Sequence, residues 1–253
     1  MKCLISGSQG FVGSALYKRL SDQYQVIPIT RELLYNKEEL KRLFEKEKPD
    51  IAYHLASYGN HSNQKDNEMT LKANVVATFN MFESANCKLF NFSTSSVNLP
   101  TQTMYSITKR MGEELSLLYP NVVNVRPYSV FGEGEADFRF IPTVCRSLIF
   151  GEELTLDPDP THDWIYIENF LDVLLNNKDA TGTLEIGTGI STRNEDIVRM
   201  LVQISGKACK IKRTIGLRTY DNEHWVAPQK LKMKYSLDVG LLRTYKYYER
   251  LKN

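Results

Sequence analysis

The amino-acid sequence predicts an α/β fold, with a doubly wound parallel sheet and a smaller, discontinuous C-terminal lobe. Three observations predict it. Short apolar runs alternate with amphipathic helical runs as far as Tyr128, a glycine-rich turn joins the first run of each kind, and beyond Tyr128 loops rich in Gly, Asp and Pro interrupt the alternation. Alternating buried strands and helices require a parallel sheet with helices on both faces, and such sheets bind ligands at the carboxyl ends of their strands.

The elements of the sheet follow one another in a regular order. Apolar runs of strand length predict strands over 2–6, 24–30, 49–56, 87–94 and 121–128. Apolar residues three and four apart predict helices that begin at about residue 11 and over 36–48, 67–85 and 105–119. Asn36 and Glu39 have the spacing of a capping box, which predicts the start of the second helix.

The region after Tyr128 is predicted to leave the sheet and then to return to it. A helix is expected within 139–150, the segments 163–176 and 182–187 are expected to rejoin the sheet, and another helix is expected over 194–204. The sequence therefore predicts a sheet domain made of 1–130 and 164–188. The second lobe is predicted to comprise 131–163 and 189–253.

The composition indicates an ordinary soluble globular protein, since 42% of the 253 residues are hydrophobic and 25% are charged. The opening "MKCLISGSQGF" has too short an apolar run for a signal peptide or a membrane span. We therefore expect a cytoplasmic location and no membrane partner. Cysteines and histidines are scattered without ligand spacing, so neither a disulfide framework nor a metal site is expected.

The charge is nearly balanced overall but uneven along the chain. A net charge of +2 argues against an obligate nucleic-acid binder. From Lys207 onward, twelve Lys or Arg residues stand against four Asp or Glu residues. This excess would attract an anionic substrate such as a diphosphate, although a solvated surface explains most of these charges at least as well.

The glycine turn "GSQGFVG" is the first candidate binding site. Gly7, Gly10 and Gly13 follow the first strand and open the first helix, where absent side chains let the backbone approach a pyrophosphate at the helix N-terminus. A tight turn that packs helix on sheet explains one glycine better than three. The sequence therefore predicts a Rossmann-type sheet with a dinucleotide contacted by this turn, whose residues are Gly7, Ser8, Gln9, Gly10, Phe11, Val12 and Gly13.

The end of the second strand bears on which dinucleotide binds. An acidic residue there would bind the adenine ribose of NAD, but the segment reads "PITRELL". Arg31 stands where a 2′-phosphate would lie, and a guanidinium suits a bidentate phosphate contact. NADP(H) is therefore favoured, while NAD(H) stays open because Glu32 could serve a ribose and Arg31 could be a plain surface cation.

Tyr105 and Lys109 are the first candidates for catalysis. Residues four apart share a helix face, so both side chains can point to one cleft. An ammonium group favours the phenolate form of a neighbouring tyrosine, which lets that tyrosine exchange a proton near neutral pH. Upstream, "STSS" places four consecutive hydroxyl residues after a strand, and one of them could hold a substrate oxygen, although such a run is more often a turn.

These motifs together resemble the extended short-chain dehydrogenase/reductase family of nucleotide-sugar epimerases, dehydratases and reductases. The resemblance covers most of the chain and includes the glycine triplet, "YHLA", "KANVVATFNM", "STSSV", "RPYSVFGEG", "HDWIYIENF" and "SLDVGLLRTYKYYE". It implies an NAD(P)-dependent enzyme that acts on a nucleotide-diphosphate sugar. It also implies a homodimer formed by the helices that carry Tyr105 and Asn74.

The resemblance also implies roles for particular residues. Thr94 matches the catalytic Ser or Thr of the family, Tyr105 its acid/base, and Lys109 the residue that activates the tyrosine. Besides the glycine turn, Arg31, Tyr105 and Lys109, the implied cofactor-binding residues are Leu55, Ala56, Ser57, Asn74, Tyr128, Ser129 and Val130. The implied substrate-binding residues are Thr94, Ser95 and Arg218.

Departures from the family pattern narrow the chemistry. The 4,6-dehydratases have Asp-Glu after the catalytic Thr, and the decarboxylases have Glu at the second of these positions, whereas this chain has Ser95 and Ser96. Tyr105 is then the main proton carrier, which leaves a ketoreductase or an epimerase. The segments "PITREL", "HLASYGNH" and "GEADFRFIP" resemble reductases of nucleotide-linked 4-keto-6-deoxyhexoses, which use NADPH, and this resemblance favours an NADP(H)-dependent reductase of a keto group on a nucleotide-activated deoxysugar. The alternatives are an NAD-dependent nucleotide-sugar epimerase with a transient ketone and a non-catalytic regulator that senses a dinucleotide.

Overall fold

A computed structural model describes residues 1–61, 63–216 and 225–251. Its strands are β1 (Lys2–Ser6), β2 (Gln25–Ile29), β3 (Ile51–His54), β4 (Lys88–Phe92), β5 (Val122–Pro127), β6 (Ser129–Phe131), β7 (Glu153–Leu156), β8 (Thr161–His162), β9 (Trp164–Tyr166), β10 (Gly182–Ile186), β11 (Thr192–Arg193) and β12 (Lys210–Arg213). Its α-helices are α1 (Phe11–Ser21), α2 (Arg31–Tyr35), α3 (Lys37–Glu47), α4 (Asn67–Leu71), α5 (Ala77–Ser84), α6 (Met104–Ser116), α7 (Phe140–Phe150), α8 (Ile167–Asn176), α9 (Asn194–Ser205) and α10 (Leu237–Arg250). A π-helical turn spans Lys72–Val76, and a 3-10 helix spans Ser95–Asn98.

The main sheet has six strands in the order β10-β5-β4-β3-β1-β2. The pairs from β2 through β1, β3 and β4 to β5 are parallel. Because β1 lies between β2 and β3, the chain winds first to one edge of the sheet and then to the other. The carboxyl ends of β1 and β3 therefore form the switch point at which such sheets bind ligands. The predicted doubly wound α/β fold is confirmed.

The core beside the sheet is formed by apolar residues of the strands and of the helices that pack on them. Leu4 of β1 and Ala52 of β3 are fully buried against Leu40 and Phe44 of α3 and Met81 of α5. These helices present apolar residues three and four apart, which places them on one face. Packing of that face sets the positions of the strand ends, and those ends carry the candidate site.

Two helices differ from the prediction. Residues 31–35 form α2, a one-turn helix too short to show a periodic pattern, with Thr30 accepting a hydrogen bond from the Leu33 amide at 3.4 Å. Asn36 caps α3 as predicted, since its Oδ1 accepts from the Glu39 amide at 3.2 Å. The helix predicted over 67–85 is interrupted by the π-helical turn Lys72–Val76.

The chain forms two compact units, Met1–Pro127 with Asn177–Glu185, and Tyr128–Asn176 with Ile186–Asn253. β10 joins the main sheet, as predicted for 182–187. The expectation that 163–176 returns to that sheet was wrong, because β9 pairs instead with β6 in a separate two-stranded sheet. Assignment of a cofactor role to one unit and a substrate role to the other stays a prediction.

In the second unit, the buried carboxylate of Asp163 joins distant segments of the chain by hydrogen bonds. Its oxygens accept hydrogen bonds from the amides of Thr188 at 2.7 Å, Gly189 at 2.9 Å and Ala227 at 3.0 Å. Stacking of Phe140 on Trp164, with ring centroids 5.6 Å apart, adds an aromatic layer. Among the described residues, no helix combines the length and apolar character needed to cross a membrane.

Candidate functional site

The glycine turn after β1 contains glycines of two kinds. Gly7 has a φ of +72°, and a Cβ there would lie 2.7 Å from the Ala56 nitrogen. A Cβ on Gly13 would lie 2.0 Å from the Gly7 oxygen, so close packing of α1 on the turn requires this glycine. Gly10 is exposed at the α1 N-cap, and a Cβ there would meet the Gly7 oxygen at an ordinary 3.4 Å. Packing thus explains Gly7 and Gly13, whereas Gly10 leaves the backbone open to a ligand, as a pyrophosphate cradle requires.

A buried chain of hydrogen bonds joins the carboxyl ends of β1 and β3. Nδ1 of His54 lies 2.7 Å from the Ser6 hydroxyl, and Nε2 lies 3.1 Å from the Thr78 hydroxyl. The Ala56 amide also donates to Ser6 Oγ at 3.2 Å. Burial, together with the positive charge of Lys109, lowers the pKa of His54 to about 3, so the imidazole is neutral. These hydrogen bonds fix the backbone path of residues 55–57, where cofactor contacts were predicted.

Tyr105 lies in the first turn of α6, whose start is set by a capping box. The Ser106 amide donates to Thr103 Oγ1 at 3.1 Å, and the Thr103 amide donates to Ser106 Oγ at 2.8 Å. Tyr105 is half-buried, whereas Lys109, one turn further, is 3% exposed. Burial lowers the pKa of Lys109 to about 8, and the charge of Glu113 opposes this shift.

Asn74, in the π-helical turn, is held against α6. Its side-chain amide donates to the Tyr58 carbonyl at 2.8 Å and to Thr108 Oγ1 at 3.0 Å, and its Oδ1 accepts from the Tyr58 amide at 2.9 Å. Both amide hydrogens are thereby used, which leaves only Oδ1 for the predicted cofactor contact. Thr108 directly precedes Lys109, so Asn74 links the loop after β3 to the helix of Tyr105. Isolated π-helical turns are common at functional sites.

Thr94 is the hydroxyl residue that caps the 3-10 helix after β4. Its Oγ1 accepts from the Ser96 amide at 3.2 Å and donates to Ser96 Oγ at 3.1 Å. Ser93 and Ser95 are 3% and 1% exposed, which leaves little of either side chain accessible to a ligand. Thr94 itself is 9% exposed. The structure thus distinguishes hydroxyl groups that the sequence presented as equivalent.

A charged cluster, Glu113–Arg126–Glu185, ties the Thr94 segment to α6. Arg126 donates to both carboxylate oxygens of Glu113, at 2.9 and 2.6 Å, and to Glu185 at 2.9 Å. Asn98, at the end of the 3-10 helix, donates to the same Glu185 oxygen at 3.4 Å. The sequence interpretation missed this cluster, although Glu113 repeats the four-residue spacing of Tyr105 and Lys109.

The other predicted residues lie elsewhere. Arg31 is exposed, two residues after the end of β2. Tyr128, Ser129 and Val130 belong to the second unit, where β6 pairs with β9. Arg218 lies outside the described residues. Within the described ranges, no three His, Cys, Asp or Glu side chains form a group that could hold a metal ion.

The chain is similar to several known proteins. A model of the NAD dependent epimerase/dehydratase family matches residues 3–187. A dTDP-D-glucose 4,6-dehydratase of Dictyostelium discoideum is 23% identical over 269 residues, which cover 81% of this chain. The chain spans 62% of the length of that relative.

Solved structures share the fold. UDP-glucose 4-epimerase of Thermotoga maritima, determined with UDP-glucose, superposes with a TM-score of 0.87 at 18% identity and 100% coverage of both chains. RMD of Pseudomonas aeruginosa, complexed with NADPH, superposes with a TM-score of 0.83 at 19% identity and 99% coverage of each chain. Likeness at this level of identity demonstrates a common architecture.

Proposed function

This chain belongs to the NAD dependent epimerase/dehydratase family, and on that premise we propose that it transfers hydride between a nicotinamide dinucleotide and the sugar of a nucleotide-diphosphate sugar. Family membership confirms the resemblance on which the sequence interpretation rested. The observation that carries the proposal is the pairing on α6 of a half-buried Tyr105 with a buried Lys109. A buried ammonium beside a phenol is the arrangement that a proton-exchanging tyrosine needs.

The residues present fit a dinucleotide. The turn after β1 has no side chain at Gly10, and its amides lie at the N-terminus of α1, which suits a pyrophosphate. When bound, the nicotinamide supplies or accepts the hydride. Tyr105 exchanges the proton of the sugar hydroxyl, Thr94 holds the same oxygen, and the Lys109 ammonium favours the phenolate of Tyr105.

Reduction with NADP(H) is the form of this function that we favour. Arg31 supports it, because an exposed guanidinium follows β2, the strand beside the glycine turn, where a 2′-phosphate would be met. RMD, which has the same fold, was solved with NADPH. The substrate class would be a nucleotide-linked keto-deoxysugar, for which the family resemblance implies a contact from Arg218. The predicted substrate contact of Ser95 is not supported, because its side chain is 1% exposed. Tyr128, Ser129 and Val130 remain predicted contacts of the nicotinamide.

Epimerisation with NAD(H) is the second candidate function. The similar Thermotoga maritima structure is that of a UDP-glucose 4-epimerase. Oxidation and re-reduction of one carbon need the same tyrosine, lysine and threonine and no further acid. An epimerase would retain its cofactor during purification and would show no net change in cofactor redox state, whereas a reductase would consume NADPH.

Elimination of water is disfavoured, although the Dictyostelium relative is a 4,6-dehydratase. Elimination needs an acid and a base in addition to the tyrosine, and the two residues after Thr94 are Ser95 and Ser96. A serine hydroxyl does neither task well near neutral pH. The Thr94 segment therefore supports redox or epimerising chemistry.

A homodimer is proposed through α6 and the helical segment beside it. Large apolar side chains are exposed on both: Ile107 and Met111 on α6 are 46% and 41% exposed, and Val76 and Phe79 are 48% and 36% exposed. Exposed apolar residues on adjacent helices are typical of interaction surfaces. A second copy of this chain would cover them.

Replacement of Tyr105 by Phe tests the proposed function. We expect Tyr105→Phe to keep its fold and its dinucleotide affinity but to lose about 10²- to 10⁴-fold in turnover of a keto-sugar nucleotide, measured by NADPH absorbance. Equal rates for variant and wild type would refute the role of Tyr105. Tight dinucleotide binding without turnover of any nucleotide sugar by the wild type would instead support a non-catalytic regulator.

A further inference from the structure

We propose that Glu113 is the buried counter-charge that keeps the Lys109 ammonium charged beside Tyr105, and that Arg126 limits how strongly Glu113 acts. This inference rests on the proposed function, because it concerns the tyrosine and lysine of the same site. Glu113 does not contact substrate or cofactor in this account. It is a positioning residue that acts through Lys109.

The geometry of α6 places these three side chains in one row. Tyr105, Lys109 and Glu113 are spaced four apart, which puts them on one helix face. Lys109 and Glu113 are 3% and 8% exposed, so water screens their interaction poorly. A buried ammonium without a nearby negative charge gives up its proton, because burial disfavours the charged form.

Within the described part of the chain, the titratable groups His54, Arg126 and Glu185 on neighbouring strands do not supply that negative charge directly. His54, on β3, is neutral at physiological pH, and its own low pKa is caused first by burial and then by the charge of Lys109. Arg126, on β5, is a cation. Glu185, on β10, contacts Arg126 at 2.9 Å, one contact further from Lys109 than Glu113. Among the described residues, Glu113 is thus the buried acidic group one helical turn from Lys109, and its charge opposes the lowering of the Lys109 pKa by burial.

The charges of the cluster explain why both acids are present. Glu113 alone would be neutralised by Arg126, which donates to both of its oxygens. Glu185 adds a second carboxylate to the same guanidinium, so Glu113, Arg126 and Glu185 together carry one net negative charge. That charge balances Lys109. Asn98 donates to Glu185, so the balanced set also includes the end of the Thr94 segment.

The balance matters because Lys109 titrates close to physiological pH. With Glu113 in place its pKa is about 8, so most of the population is charged at neutral pH. An opposite charge nearby that water screens poorly shifts a pKa by about 1 unit or more. Loss of the Glu113 charge would therefore leave Lys109 half neutral near pH 7 and would weaken its effect on Tyr105.

Titration of Lys109 in the free protein tests the inference without requiring catalysis. Lysine labelled with ¹³C at Cε is followed by NMR against pH, and the Lys109 signal is identified by its absence in Lys109→Arg. We expect Glu113→Gln to lower the pKa of Lys109 by about 1 unit and Glu113→Asp, which keeps the charge, to shift it by less than half as much. Glu185→Gln also removes the net negative charge of the cluster, but one contact further away, so we expect it to lower the pKa of Lys109 by less than Glu113→Gln does. Glu114→Gln is the matched control, since it makes the same chemical change at an exposed position on the same helix, and it should leave the pKa of Lys109 unchanged.

Arg126→Gln gives a prediction of the opposite sign. Removal of the guanidinium frees the Glu113 charge, so we expect the pKa of Lys109 to rise. General loosening of the site would instead shift the pKa of Lys109 in the same direction in Glu113→Gln and in Arg126→Gln. A folded Glu113→Gln protein with an unchanged Lys109 pKa would overturn the inference; if that variant does not fold, an unchanged or lowered pKa in Arg126→Gln would overturn it.

The activity profile gives a second readout in the assembled enzyme. The wild-type rate should fall as the pH rises through about 8, because Lys109 then loses its charge, and Glu113→Gln should move this fall about 1 unit lower. Failure of the two proposals can be told apart. Expected Lys109 shifts without turnover of any nucleotide sugar would refute the proposed function alone, whereas normal turnover with an unchanged Lys109 pKa in Glu113→Gln would refute this inference alone.

Discussion

Replacement of Gly13 by Ala separates the glycines that packing requires from Gly10, which we propose approaches a pyrophosphate. The added Cβ would lie 2.0 Å from the Gly7 oxygen and 2.8 Å from the Gly7 carbonyl carbon. Both atoms belong to the backbone, so no side chain can rotate away, and α1 must shift by more than 1 Å to restore an ordinary carbon–oxygen contact. Overpacking of this kind costs about 1–3 kcal/mol, and a clash with backbone belongs at the upper end.

A cost of about 3 kcal/mol should lower the melting temperature by about 6–12 °C in a chain of this size. Gly10→Ala is the matched control. Its Cβ would lie 3.4 Å from the Gly7 oxygen, and φ at Gly10 is −77°, which Ala adopts without strain. Ala is a poorer N-cap than Gly, so the replacement costs about 1 kcal/mol. We therefore expect Gly10→Ala to melt within about 4 °C of the wild type.

We expect the order of Gly10→Ala and Gly13→Ala in dinucleotide affinity to be the reverse of their order in stability. Although Gly10→Ala is well folded, its methyl group stands where the pyrophosphate should approach the backbone, so we expect at least about a tenfold loss of affinity for NAD(P)H by calorimetry. Gly10→Ala with wild-type affinity would refute the placement of the pyrophosphate. Gly13→Ala with wild-type stability would refute the steric argument for α1.

Two further predictions concern cofactor choice and assembly. Arg31→Ala should raise the KM for NADPH by about tenfold or more and leave that for NADH unchanged, since only NADPH offers a phosphate to the guanidinium; equal effects on both cofactors would contradict the favoured NADP(H) assignment. Ile107→Glu should convert a dimer to a monomer, because a charge would be buried in the proposed interface, and light scattering measures the change. Ile215→Glu is the control, since Ile215 is 88% exposed in the second unit, and this variant should stay dimeric. A wild-type protein that is monomeric at assay concentrations would contradict the dimer.

The fold could be predicted from the sequence where pattern length and burial coincide. The strands of the main sheet read as apolar runs because parallel strands are covered on both faces. β9 could not be placed, since its three apolar residues Trp164–Tyr166 look the same whether they pair with the main sheet or with β6. The helix α2, with five residues, is too short to show a period, and nothing in the residues at Lys72–Val76 indicates a π-helical turn.

The candidate site could be predicted where its residues are close in the chain. Tyr105 and Lys109 are found by helical spacing, and the glycine turn by its place between a strand and a helix. The contacts among Glu113, Arg126 and Glu185 depend on neighbouring strands of the sheet, which local spacing does not reveal. Similarly, the choice of Thr94 among four hydroxyl residues depends on the end of β4 at Phe92 and on the turn that follows.

Transfer of deuterium is the most direct measurement of the central claim, that Tyr105 serves hydride transfer on a nucleotide sugar. NADPH carrying deuterium at the transferable position of the nicotinamide is incubated with a nucleotide-linked 4-keto-6-deoxyhexose, and the product is analysed by mass spectrometry. We predict one deuterium per product sugar with the wild type and a rate at least about 10²-fold lower with Tyr105→Phe. Deuterium transfer at the same rate in both proteins, or none in a wild-type protein that binds both ligands, would contradict the account.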